Sequence, residues 1–134
     1  MSLMHTLVEY RQQRVHGELK NVGARYSMLH LDVLILLYHL AKTAGGAILE
    51  IGASLGGATI AIARGVEACG GNRKLISVEQ GGSQDHPHLG SRDIIRDLRR
   101  NLAKENVSRF VTLIKVVWRC FGERKGFSAL WQRS

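Results

Sequence analysis

The apolar and polar positions of this 134-residue chain follow several distinct patterns, and each predicts a different element. From Ser91 to about Glu105, Ile94, Ile95, Leu98 and Leu102 recur at helical spacing, with Arg92, Arg96, Arg99, Arg100 and Lys104 on the other side. That stripe predicts an amphipathic helix capped by Ser91, with Asp93 and Asp97 near its positive end. Phe110–Val117 is almost continuously apolar, as strands buried in a parallel sheet are. The shorter runs Ala47–Ile51 and Lys74–Glu79 also read as strands.

Upstream, Ser27 is placed to cap a helix from Met28 to about Thr43. It is apolar on most sides, which predicts burial against a sheet, and it is too short to span a membrane. His30 and His39 share one of its faces and read as half-buried packing residues. Gly45-Gly46 ends it. Leu3 to about Leu19 reads as a peripheral amphipathic helix, and Asn21–Tyr26, with Gly23, as a loop. The order helix, β, α, β, α, β is half of a doubly wound α/β fold.

Between the first strand and the helix from Ala58 to about Cys69 lies the turn Gly52–Gly57. Glycines there accept unusual backbone angles and let a ligand approach the main chain, and the helix N-terminus offers free N–H groups. The geometry suits a nucleotide-like molecule over the strand end. Ser54 stands where a dinucleotide fingerprint needs its second glycine, and no lysine follows to make a phosphate loop.

What remains, Glu50-x-Gly52-x-x-x-Gly56, resembles the first motif of the class I S-adenosylmethionine-dependent methyltransferases. Glu79, closing the second strand, resembles the acid that accepts the ribose hydroxyls in that family. The resemblance covers about residues 28 to 117. It implies a Rossmann-like methyltransferase fold, S-adenosylmethionine as cofactor, and a small-molecule methyl acceptor of unknown identity. It also implies a cofactor site of Glu50, Gly52, Ala53, Ser54, Gly56, Gly57 and Ala58 from the first motif, with Glu79 and Gln80 from the second. No catalytic residue is carried over. Read without the family, the turn is an ordinary strand-to-helix turn, Glu79 a solvated strand-end acid, and Glu50 a structural acid that caps neighbouring backbone.

The family's sheet has about seven strands, with the first strand between the second and the fourth, whereas only three are expected here. The expected organisation is a helical segment (1–26), a cofactor-binding α/β half-domain (27–117) and an atypical basic, aromatic tail (118–134). That tail shows no helical or strand period, and the whole reads as a truncated cofactor-binding portion, inactive alone. Without a fourth strand beside it, the first strand would keep an unpaired edge, so self-association through that edge or the tail's aromatics is expected.

The remaining chemistry is sparse. Gln80–Gly90 is a polar loop holding the only proline. Its Asp85, His86 and His88 lie in one turn, whereas metal sites usually draw on separated segments, so no metal is expected. The two cysteines, Cys69 and Cys120, have no ligand-like spacing. With no secretory leader in evidence, they suit a reducing cytoplasm. A net charge of +8 and a pI near 10.1 raise the alternative of a basic nucleic-acid-binding module. The basic residues are dispersed and no aromatic platform accompanies them, so nucleic acid is not the expected partner. A non-catalytic oligomerising fragment is the third reading.

Overall fold

In the computed structural model, which describes residues 13–118 and 129–133, the three apolar runs pair side by side. Strands β1 (Ile48–Ile51), β2 (Leu75–Glu79) and β3 (Val111–Trp118) form a parallel sheet in that order. Helix α3 (Gly57–Ala68) links β1 to β2. Helix α4 (Ile94–Lys104) and a 3-10 turn (Ser108–Phe110) link β2 to β3. Two helices, α1 (Arg14–Tyr26) and α2 (Leu31–Thr43), precede the sheet. The architecture is α/β, a three-stranded parallel sheet flanked by helices, consistent with a partial Rossmann-like fold.

A fourth strand, β4 (Ala129–Arg133), pairs antiparallel with β3, so the tail is not devoid of strand structure. Its pairing partner supplies the order that its own short sequence does not signal. The expected aromatic contacts of Phe121 and Phe127 lie outside the described residues.

One face of the sheet carries Ile48, Leu75, Val111 and Leu113 and packs with Ile60, Val66, Leu98 and Leu102 of α3 and α4. Leu75, Ile60, Val66 and Leu98 are completely buried, and each such side chain contributes roughly 1.5–3 kcal/mol. The stripe expected along α4 is therefore the one that faces inward. Its cap differs: Asp93 caps the helix by accepting from Arg96 N at 3.0 Å. Ser91 lies two residues earlier, accepting from Asp93 N and donating to the buried Asp97 at 2.7 Å.

A second cluster joins Leu19 of α1, Leu34, Ile35 and Tyr38 of α2, and Ala61 of α3. Helix α1 continues to Tyr26, through the stretch expected to be a loop. Leu19, Val22 and Tyr26 form its buried stripe, and Gly23 allows Leu34 Cδ1 to come within 3.2 Å of where a β-carbon would stand. Tertiary packing thus outweighs the local glycine signal. The part of the expected first helix before residue 13 lies outside the described residues.

Helix α2 starts three residues later than Ser27 would set it, because His30 is its N-cap. Ser27 instead closes α1 and accepts from Leu29 N at 3.0 Å. His30 is exposed, whereas His39 is half-buried, its Nε2 3.1 Å from that of His16 on α1. The helix packs chiefly on α3 and α1 rather than on the sheet. At their crossing the backbones nearly touch: a β-carbon on Gly65 would stand 2.3 Å from Tyr38 O. Val33, Leu36 and Leu40 stay exposed on the opposite face.

Among the described residues no helix is long and apolar enough to cross a membrane.

Candidate functional site

The sheet brings the two motifs together. Glu50 and Ser77 are register partners on β1 and β2, and both strands run toward the same edge, where Gly52 and Glu79 lie. Gly52 N donates to Val78 O at 2.8 Å, which extends the pairing into the first residue of the turn. The chain then reverses through φ +86° at Gly52, +48° at Ser54 and +97° at Gly56. The left-handed angle costs a serine about 1 kcal/mol, so other contacts must hold Ser54 there.

Those contacts come from the second motif and its loop. Glu79 Oε2 accepts from Ser54 N at 2.7 Å, and Glu79 Oε1 accepts from Gly81 N at 2.9 Å. One buried carboxylate therefore ties the end of β1 to the end of β2. Ser54 Oγ donates to Gln84 Oε1 at 3.0 Å, while Gln84 Nε2 donates to Leu89 O at 2.7 Å. The carboxylate has further lone pairs, so it can take hydroxyl donors from a ligand while keeping both backbone bonds.

Glu50 occupies a different position from the solvent-facing strand end. Its Oε2 accepts from Thr59 Oγ1 on α3 and from Ser77 Oγ on β2, both at 2.7 Å. Its Oε1 is buried with no hydrogen-bond partner among the described residues. Burial pushes the Glu50 carboxyl above its ordinary range, and the two hydroxyl bonds oppose that, while the nearby charge of Glu79 adds to it.

The remaining first-motif residues divide by environment. Gly56 caps α3, and a β-carbon there would meet Leu98 Cδ1 at 2.8 Å. Gly57 is pressed on Ser27, whose Cβ would lie 2.3 Å from an added β-carbon. Both glycines let neighbouring elements approach the turn, and Ala53 is buried with them. Ala58 is half-buried on the side of β1, and Gln80 is exposed just after Glu79. The first intrahelical bond of α3 is Ile60 N to Gly56 O, which leaves the preceding N–H groups open toward the turn.

Beside the turn runs a groove of about 450 Å³ between α2, β1 and α3. Leu37, Leu40, Ile48, Leu49 and Ile51 line it together with Gly52 and Ala58, and Glu50 is its one ionisable residue. The groove follows the open edge of β1, whose only neighbour among the described strands is β2.

His86 has a structural part in the loop, its Nδ1 accepting from His88 N and Leu89 N at 3.2 and 3.0 Å. Among the described residues no group of three His, Cys, Asp or Glu is arranged to hold a metal ion.

Sequence reasoning singled out Glu50 and Glu79 but not the side chains that hold the site in shape. Ser77 carried a signal, as a polar residue inside a buried strand. Gln84 carried none, because its partner lies thirty residues away. In comparisons with known proteins, neither a protein-family model nor a curated protein matches the chain.

Proposed function

We propose that the chain binds S-adenosylmethionine at the glycine turn, as the cofactor-binding portion of a methyltransferase with a small-molecule acceptor. The observation that carries the reading is the bond from Ser54 N to Glu79 Oε2, which makes the turn and the strand-end acid a single site. An adenosine over the strand ends would meet the open N–H groups of α3 and the remaining lone pairs of Glu79. Glu50 supports the same reading. A buried carboxylate oxygen without a partner, beside a cleft, favours a cationic group, and the methionine part of this cofactor carries an ammonium and a sulfonium. The apolar groove at Leu40, Leu49 and Ile51 suits an uncharged acceptor better than a polyanion. In such a transfer the donor carbon is displaced in line, and much of the rate comes from positioning the two reactants.

Calorimetric titration with S-adenosylhomocysteine tests this. Saturable binding is expected, weakened by Glu79→Gln, which keeps the side-chain size but turns an NH2 toward one of the two backbone donors. Absence of heat at millimolar ligand overturns the reading. A cytoplasmic location and self-association through the β1 edge belong to the same proposal.

A further inference from the structure

The loop between β2 and α4 is built as a pinned tongue rather than an open connection. Gln84 and Ser91 exchange both backbone hydrogen bonds, at 2.8 and 2.9 Å, which closes the tongue on itself. Its base is fixed to α4, where Ile94 N donates to Gly82 O at 3.0 Å and Ser91 Oγ donates to Asp97. Its neck is fixed to the glycine turn by a single side chain: Gln84 accepts from Ser54 Oγ and donates to Leu89 O.

We infer that Gln84 is a positioning residue for the nucleoside site, stapling the glycine turn to the tongue so that the two walls of the site hold a fixed separation. The inference rests on the cofactor reading above. Glu79 fixes the main chain of Ser54, but only from one side, and it leaves the side-chain hydroxyl undirected. Gln84 supplies the other constraint. The amide serves because it accepts and donates at once: the Oε1 side meets a hydroxyl, and the Nε2 side meets a carbonyl. A carboxylate at this place would face the Leu89 carbonyl with a second acceptor and lose that half of the staple. Ser54 in turn adopts its left-handed angle with its N–H held by the end of β2 and its hydroxyl by the loop that follows it.

A double-mutant cycle on Ser54→Ala and Gln84→Ala tests the staple. In urea unfolding of the free chain, the double variant is expected to fall short of the product of the single effects by about fivefold in the unfolding constant. At a temperature where far-UV circular dichroism shows every variant folded, each single variant is expected to weaken S-adenosylhomocysteine about tenfold. The double variant should bind no worse than Gln84→Ala, since the contact between the two side chains is already lost there. Gln84→Glu, which keeps the acceptor alone, should recover only part of the affinity. If the unmodified chain binds and Gln84→Ala binds equally well, the positioning role is overturned while the cofactor reading stands. If the unmodified chain fails to bind, the cofactor reading falls and Gln84's role at the site falls with it.

Discussion

The Ser77 hydroxyl lies 2.7 Å from Glu50 Oε2, joining directly opposed residues on β1 and β2 through their side chains. With Thr59 donating to the same oxygen, the carboxylate is anchored on one side and bare on the other. Burial of that carboxylate makes stability depend on pH in a definite direction.

Glu50 releases its proton at higher pH in the folded chain than its ordinary value of 4.5, chiefly because of burial. Above that value the unfolded chain has already lost the proton while the folded chain keeps it. This contribution to stability is therefore full below the unfolded value and fades as pH rises through the folded one. Glu50→Gln retains an acceptor for both hydroxyls and carries no charge. Its stability relative to the unmodified chain is expected to rise as pH increases from 4.5 and to level off once the folded carboxyl has ionised. Urea midpoints at several pH values check this, and parallel curves for the two proteins would contradict it.

The parts of the site that were legible in the sequence are those set by neighbours in the chain. The stripe Ile94, Ile95, Leu98 and Leu102 defines a helix face by spacing alone, and Gly52 and Gly56 announce a turn by residue type. Helix boundaries were less legible because caps compete: Ser27 and His30 can each start α2, but Ser27 closes α1 and His30 caps α2. The staple of Gln84 on Ser54 and the pairing of β4 with β3 depend on distant partners, so no local pattern contains them.

Two glycines in helices are expected to respond in opposite directions. Gly65 lies where α3 crosses α2, and an alanine methyl there would meet Tyr38 O and Ala41 Cβ at 2.3 and 2.8 Å. Gly65→Ala should force the helices apart and cost about 1–3 kcal/mol, as overpacking generally does. Gly17 is an exposed position in α1 with no atom within 4 Å of an added β-carbon. Gly17→Ala should gain about 0.5–1 kcal/mol by restricting the unfolded chain. Thermal melts of the two variants, run side by side, separate close packing from helix propensity.

Tyr26, the last residue of α1, donates its hydroxyl to Glu105 Oε1 at 3.0 Å, just beyond α4. Glu105 also lies 3.8 Å from Arg64 of α3, so one carboxylate holds three helices at a common corner. Tyr26→Phe removes a bond to a charged acceptor while keeping the ring packed. A loss of about 1–2 kcal/mol is expected at neutral pH. Urea unfolding of Tyr26→Phe beside the unmodified chain measures it, and equal midpoints would show that the hydroxyl bond adds nothing.

The open edge of β1 yields the last prediction. Ile48 N and Gly52 N donate toward β2, to Lys74 O and Val78 O, so the alternating peptide groups of Leu49 and Ile51 turn away from it. Their side chains are 62% and 77% exposed and line the groove with Leu37 and Leu40. Two copies related by a two-fold axis through Glu50 would set Leu49 of one against Ile51 of the other, a self-complementary antiparallel pairing. The net charge of +8 opposes this contact, so added salt should strengthen it. Salt would weaken any association with nucleic acid, which makes the sign diagnostic. In sedimentation velocity at micromolar concentration, the chain is expected to be larger than a monomer, more so at high salt. Leu49→Lys with Ile51→Lys should return it to a monomer by placing like charges across the edge. A monomer in the unmodified chain at every salt concentration would rule the pairing out.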